Sequence, residues 1–350
     1  MLKILWINFV KLYIKTGLYF YAKQIKVSGI EHIPKKGAVL FTSNHPNGLI
    51  DPLIIATHNP RINHYLVRAA VFKKSFIKKL LGTLNLMPIY RIRDGKSQLS
   101  KNNEVFDRCF EILNNKQALM IFPEGSHGRV RKIRPISKGF TRILFGAIDK
   151  YPDLQITIIP VGLTYQNASV FPAKIALKYG KPILTNDYYN SNELVTSTNN
   201  LKNEVKKSLE EITSSIPSDK DYESILSNLN AANIDFTEVE KTNTIIRNNE
   251  KLSSIKKKLN YLKPLFYLII LNSILPYSIW KKASKKIDEI EFVDTFRFGL
   301  GIVIFPLFYL LQSLVIKYFW GGRIALIYFS ISLLSVLIYT KLSPTNTETD

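Results

Sequence analysis

Cysteine is almost missing from this chain: one residue, Cys109, in 350. That excludes an intrachain disulfide and a cysteine-ligated metal site, and Cys109 reads as a small core residue. Histidine numbers five, and no two have the His-x3-His spacing that a helical metal site of a hydrolase uses. Acid is in short supply, with 27 Asp and Glu against 48 Lys and Arg, a formal net charge of +21. So basic a chain calls for an acidic partner: nucleic acid, an anionic lipid surface or a phosphorylated substrate. The lysines are scattered or sit beside apolar runs, without a basic stripe interleaved with aromatics, which argues against nucleic acid. No internal repeat is evident. No small-residue cleavage site follows the apolar N-terminal stretch, so a signal peptide is not expected.

The chain does hold long apolar runs. Mean hydropathy is +0.01 despite the charge, so apolar residues must be concentrated somewhere. Residues 2–22 are mostly apolar, with Lys3, Lys11 and Lys15 at multiples of four, which puts the lysines along one helical face. An interfacial amphipathic helix over 1–24 is expected, its lysines reaching for water; a helix docked on its own domain is the plainer alternative. Residues 25–216 read as α/β. Short apolar runs at 38–42, 64–68, 86–90, 118–122 and 156–163 look like buried strands. Helical patterns lie between and after them, at 101–114, 137–150 and 201–216. The alternation predicts a mainly parallel sheet covered by helices. Residues 217–260 are rich in Asn, Ser, Lys and Glu and read as a polar, partly helical linker.

A membrane region is expected over 261–342. Phe298 to Ile316 carries no charge over 19 residues, close to the roughly 20 needed to cross a bilayer. Ile324 to Tyr339 is shorter and also uncharged, and Tyr318, Phe319 and Trp320 precede it as an aromatic belt. A first run, 261–280, contains Pro264 and Pro276. Lysines flank it on both sides, Lys256 to Lys258 before and Lys281, Lys282, Lys285 and Lys286 after. Basic at both ends, it reads as a re-entrant segment, followed by two transmembrane helices that leave the large domain on the cytoplasmic side.

Four blocks carry chemistry. Asn44-His45-Pro46-Asn47-Gly48-Leu49-Ile50-Asp51 pairs an imidazole with a carboxylate across a turn-forming sequence at the mouth of a strand. Such a pair can deprotonate a hydroxyl, or be a structural hydrogen bond. Ile121-Phe122-Pro123-Glu124-Gly125-Ser126-His127-Gly128 follows a strand, and its backbone N–H groups can cradle an anion. There Glu124 reads as an acceptor for a substrate hydroxyl or a partner for a nearby arginine. Arg91 and Arg93 end another strand and suit a phosphate. Ile158-Ile159-Pro160-Val161-Gly162 has a proline in an apolar strand, which points to an edge strand or a bulge, a wall for a lipid chain.

In this order the blocks resemble those of the glycerophospholipid acyltransferase family, over about residues 25–185. Two departures stand out. His45 and Asp51 have five residues between them where the family has four. Ser126-His127 follows Glu124-Gly125, which is similar to the glycerol-3-phosphate acyltransferase branch rather than the lysophosphatidate branch.

The resemblance implies transfer of a fatty acyl group from an acyl thioester, on coenzyme A or acyl carrier protein, to a glycerol hydroxyl, with no metal or other cofactor. It implies His45 as general base and Asp51 as its orienting group. Arg91, Glu124, Gly125 and Ser126 are implied to bind the acceptor and Pro160 to shape the acyl site, with Arg129, Arg131 and Lys138 adding positive field. The acceptor is expected to be 1-acyl-sn-glycerol 3-phosphate, with glycerol 3-phosphate or dihydroxyacetone phosphate as alternatives, and anionic membrane lipids as partners. A metallohydrolase built on His45, Asp51, Glu124 and His127, and a non-catalytic lipid-binding protein, are the rival readings.

Overall fold

The computed structural model describes residues 1–90, 100, 102–168, 170–217, 219–255, 258–345 and 347. Helix α1 (Leu2–Tyr21) runs directly into strand β1 (Ala22–Ser28). Then follow β2 (Ala38–Ser43), α2 (Ile50–His58), β3 (Asn63–Arg68), α3 (Ser75–Thr83), β4 (Leu86–Ile89), α4 (Asn102–Asn114), β5 (Ala118–Ile121) and α5 (Gly139–Lys150). The α/β part ends with β6 (Ile156–Tyr165), β7 (Ala173–Tyr179), β8 (Ile183–Leu184) and α6 (Leu194–Ile212). The strands form one sheet in the order β1-β7-β6-β2-β5-β3-β4, with β8 pairing the start of β6. From β6 to β4 every pairing is parallel. Antiparallel β7 continues the sheet beyond β6, and β1 pairs with β7 in parallel.

The five runs expected as strands are β2 to β6. All six residues of β2 are buried, because helices cover both faces of the central sheet. Leu40 faces the core shared with Cys109 of α4, Phe140 and Leu144 of α5, and Leu201, Val205 and Leu209 of α6. Its neighbours Val39 and Phe41 face the other core, with Leu18 of α1, Ile54 of α2 and Phe298 further along the chain. Cys109 is thus a core residue, and burial pushes its thiol up to about 12.

Two expectations are corrected here. Pro160 lies in an interior strand, with β2 on one side and β7 and β8 on the other, and the β2 register runs through it without a bulge. The proline is tolerated because of where its missing N–H would point. Its carbonyl accepts from Gly180 N–H at 2.8 Å, and the N–H and C=O of one strand residue point the same way. On that side β8 pairs only with residues 157–158 and β7 only from residue 161. The absent donor falls in the gap between them, so no ladder bond is lost. The second correction concerns the polar linker expected over 217–260, of which 222–248 packs into a unit with a core of its own while 253–255 and 258–259 stay exposed. Helices α7 (Tyr222–Ala231) and α8 (Val239–Asn248) enclose a small core of Ile216, Leu229, Phe236, Ile245 and Ile246. Gln166, just after β6, fastens this core to the sheet. It donates to Ile234 O and accepts from Phe236 N at 2.8 and 2.9 Å.

Beyond residue 260 come α9 (Lys263–Asn272), α10 (Ile274–Ser284), α11 (Val293–Trp320) and α12 (Gly322–Leu342). The stretch ending in α11, and α12, are long and apolar enough to cross a membrane, and only 11% and 22% of their apolar windows are buried in the protein. The 28 residues of α11 extend about 42 Å, against a hydrocarbon core of about 30 Å. Helices α9 and α10, of 10 and 11 residues, are each too short to cross. The break between them sits against the middle of the hairpin. Asn272 Nδ2 donates to Ser332 Oγ, Tyr328 Oη donates to Asn272 Oδ1 and Gln312 Nε2 donates to Asn272 O. Ser273 Oγ and Tyr309 Oη lie 2.6 Å apart. Interhelical bonds of this kind satisfy polar groups that hydrocarbon cannot.

Candidate active site

The site lies at the C-terminal ends of the parallel strands, where loops of an α/β sheet gather. β2 ends at Ser43, and Asn44 ties the next residues to β6. Its Oδ1 accepts from Leu163 N and its Nδ2 donates to Leu163 O, at 2.8 and 2.9 Å. The chain then turns through Pro46, Asn47 and Gly48 into α2, whose first turn carries Asp51. His45 Nδ1 and Asp51 Oδ2 are 2.8 Å apart, with Asp51 fully buried and His45 16% exposed. The extra residue therefore does not separate the pair. The turn between them passes through Gly48, which has φ +33°, a conformation that glycine adopts at little cost.

Asp51 is held from three further directions. Asn47 N–H donates to Oδ2 at 2.7 Å, Tyr165 Oη donates to Oδ1 at 2.6 Å, and Asp51 N–H returns to Asn47 O at 3.3 Å. An ionised Asp51 puts the imidazole proton on Nδ1 and leaves the Nε2 lone pair as the basic atom. The imidazole stacks on Phe122, with centroids 3.9 Å apart, and meets the ring of His127 edge-on at 5.8 Å. Burial and the neighbouring His45 hold His127 below the usual histidine range.

The loop after β5 folds around a residue that sequence reasoning missed. Arg134 donates through Nε to Glu124 Oε2 at 2.9 Å and through Nη1 to Ser126 Oγ at 2.7 Å and His127 O at 3.0 Å. Its Nη2 also reaches Glu124 Oε2 and Ser126 O. Of the two readings for Glu124, the structure takes the arginine partner, with 3% of its side chain exposed. Burial pushes the Glu124 carboxyl up, and the Arg134 guanidinium opposes that shift. Gly125, at φ +73°, has open space where a Cβ would stand, so its backbone conformation rather than room calls for glycine there. Gly128 N–H donates to His45 O at 3.0 Å, which joins the two loops.

The other expected residues scatter. Arg91 and Arg93 lie outside the described residues. Pro160 packs against Gly180 and Ile212 of α6, on the sheet face opposite Tyr165, so its ring is not brought to His45. Arg131 donates to Tyr165 O and Gln166 O and lies over the Phe236 ring, a structural brace whose charge remains. Lys138 is exposed just before α5. His127, Glu289 and Glu291 bring three possible metal-ligand atoms within 4.8 Å of one another. His127 Nε2 and Glu289 Oε2 are 3.3 Å apart, and the Glu289 side chain is 61% exposed.

A family model described as Acyltransferase matches residues 24–164. Glycerol-3-phosphate O-acyltransferase 1 of Saccharomyces cerevisiae is 30% identical over 128 residues, 35% of this chain and 16% of that protein. The 1-acyl-sn-glycerol-3-phosphate acyltransferase of Limnanthes douglasii is 27% identical over 180 residues, 49% of this chain and 58% of that protein. The matches thus span less than two thirds of either relative. The crystal structure of the 1-acyl-sn-glycerophosphate (LPA) acyltransferase PlsC from Thermotoga maritima superposes with a TM-score of 0.42 and 17% identity, over 57% of this chain and 78% of that one. Residues 24–164 are thus an acyltransferase domain, the part of the chain that the family model and these relatives share.

Proposed function

We propose that this protein is a membrane-bound O-acyltransferase. It moves a fatty acyl group from a coenzyme A or acyl carrier protein thioester to the hydroxyl of a glycerol-phosphate acceptor, in phospholipid biosynthesis. The carrying observation is the buried Asp51, held by Tyr165 and Asn47 and bonded to His45 Nδ1 at 2.8 Å. In this reading His45 Nε2 takes the proton of the acceptor hydroxyl as its oxygen attacks the thioester carbonyl. Asp51 steadies the resulting imidazolium, and the proton then leaves with the thiolate as free thiol. Gly125 and Ser126 line the acceptor side, and Arg134 gives their loop its shape. Arg91 is kept as the proposed phosphate partner.

We place 1-acyl-sn-glycerol 3-phosphate first as the acceptor. Glycerol 3-phosphate is the second reading, favoured by the Ser126-His127 loop and by the name of the yeast relative. With purified protein, labelled acyl thioester and each acceptor in turn, phosphatidate is expected from the first and lysophosphatidate from the second. Transfer to neither acceptor overturns the function, and the faster reaction assigns the acceptor.

The membrane placement is also proposed: α11 and α12 cross, α9 and α10 enter and return, and the domain lies on the cytoplasmic side. The mostly exposed apolar faces of α11 and α12, the Asn272 break at mid-hairpin and lysines at both ends of 261–280 support it. A Lys285→Cys variant, against the buried background of Cys109, is expected to react with an impermeant maleimide only from the cytoplasmic side. Labelling from outside overturns the topology.

A further inference from the structure

The acyltransferase match ends at residue 164, yet one wall of the site comes from far beyond it. Asp294, in the first turn of α11, is 1% exposed. Its carboxylate accepts from Tyr21 Oη at 2.6 Å, Asn47 Nδ2 at 2.8 Å and Arg297 Nη1 at 2.9 Å. The donors come from the end of α1, the turn after His45 and α11 itself. Asn47 is the bridge. Its side chain reaches Asp294, while its backbone N–H reaches Asp51 Oδ2, the same oxygen that faces His45 Nδ1.

The next two residues are clasped by the same segment. A Cβ on Gly48 would stand 2.7 Å from Glu291 O and 2.8 Å from Thr295 Oγ1, so no larger residue fits without a shift. Leu49 N–H donates to Thr295 Oγ1 at 2.9 Å. Beside them Phe292 meets the His127 ring edge-on at 4.8 Å. Residues 47, 48 and 49 are each seated against 291–295, and an anchor alone has no need of such contacts. A buried carboxylate satisfied by three donors fixes its partners sharply, because every alternative arrangement strands a buried polar group.

We infer that the first turn of α11 is part of the active site, with Asp294 as a positioning residue. It holds the Asn47 turn, and through it Asp51 and His45, in working geometry. The inference rests on the function proposed above. It makes the apolar hairpin a component of the catalytic centre as well as a hold on the bilayer.

The test compares wild type, Asp294→Ala, Asp294→Asn, Tyr21→Phe and Tyr13→Phe in the same detergent. Tyr13 Oη donates to Ile302 O at 2.7 Å, so its variant loosens α1 from α11 without touching the network. Misplacement of a catalytic group by about 1 Å costs on the order of 10²-fold, so Asp294→Ala is expected to lower kcat by that factor, with KM moving less than about threefold. Asp294→Asn, which keeps an acceptor, and Tyr21→Phe, which removes one donor, should fall between, and Tyr13→Phe should match wild type. Hydrogen exchange supplies a readout independent of activity. Peptides covering 44–51 should lose protection in Asp294→Ala, while those of β2, β5 and β6 keep theirs. A kcat within about threefold of wild type, or unchanged exchange over 44–51, overturns the positioning role. Inactive wild type with the exchange change intact sinks the proposed function and leaves the positioning standing. If Asp294→Ala does not fold, Asp294→Asn and Tyr21→Phe decide by the same two measurements.

Discussion

Replacing His45 by alanine is expected to lower kcat for acyl transfer by about 10²–10⁴-fold, the usual cost of a lost general base. Among the described residues the site has little else to take over the proton. Asp51 is fully buried behind the imidazole and Glu124 is occupied by Arg134. His127 is the nearest other imidazole, 5.8 Å away between centroids, and its edge-on ring also contacts Phe292. KM for both substrates should change little, because His45 is assigned to proton transfer rather than to uniform binding. Steady-state kinetics with a labelled acyl thioester checks this. Transfer by His45→Ala at the wild-type rate removes the imidazole from the mechanism.

Arg134→Met should produce the largest loss of stability, about 3–5 kcal/mol, the typical cost of stripping one partner from a buried ion pair. The variant leaves Glu124 buried among Phe122, Pro123 and Ser126 with its counter-charge gone, and frees Ser126 Oγ and the His127 carbonyl at once. The loss should depend on pH. Burial already raises the Glu124 carboxyl above its usual range, and the variant removes the Arg134 guanidinium, the largest influence opposing that rise. A carboxyl raised in the folded state favours folding below its unfolded pKa, and that contribution disappears as pH climbs through the folded value. The deficit of Arg134→Met should therefore be greater near pH 8 than near pH 5. Adding Glu124→Gln should recover part of it at the higher pH. Urea unfolding of the two variants in detergent at both pH values measures this, and a pH-independent deficit would contradict the assignment.

Much of this architecture could be read from residues. Strands β2, β5 and β6 were legible because both faces of the sheet are buried there, so each is a nearly unbroken apolar run, while the partly buried β3 and β4 offered shorter ones. Strands β1 and β7 were harder. In β1 Gln24, Lys26 and Ser28 alternate with Ile25 and Val27, and in β7 Lys174 and Lys178 flank Ile175 and Leu177, a period of two that in β1 competes with the helical pattern just before it. Helices α4 and α5 stood out by their apolar stripes. The start of α6 did not, since Leu194–Asn200 offers about two turns of mixed polarity without a stripe. His45 and Asp51 were readable as a pair because Pro46-Asn47-Gly48 is turn chemistry. Arg134 was not, because nothing local distinguishes it from Arg129 or Arg131; only the folded loop selects which guanidinium turns inward. Asp294 left a fainter trace, as the one acid of a long apolar helix whose other charges are Arg297 and Lys317. Its partners Tyr21 and Asn47 are 273 and 247 residues away, beyond the reach of any sequence window.

The clasp between α1 and α12 has a kinetic consequence. Thr340 Oγ1 donates to Phe20 O and Lys341 Nζ to Ala22 O, at sequence separations of 320 and 319 residues. At about 5–20 residues synthesised per second, roughly 15–65 s pass between the emergence of one helix and the arrival of the other. During that interval α1 has α2, the end of α3 and the sheet to rest on. Tyr21 waits for Asp294, and the rim of β1 waits for Lys341. On the positioning role inferred above, the geometry of the site is completed late, once α11 has been made and Asp294 has met Tyr21 and Asn47. An unfinished chain that ends before α11 would carry every residue of the acyltransferase match and still lack the Asp294 contacts that hold Tyr21 and the Asn47 turn.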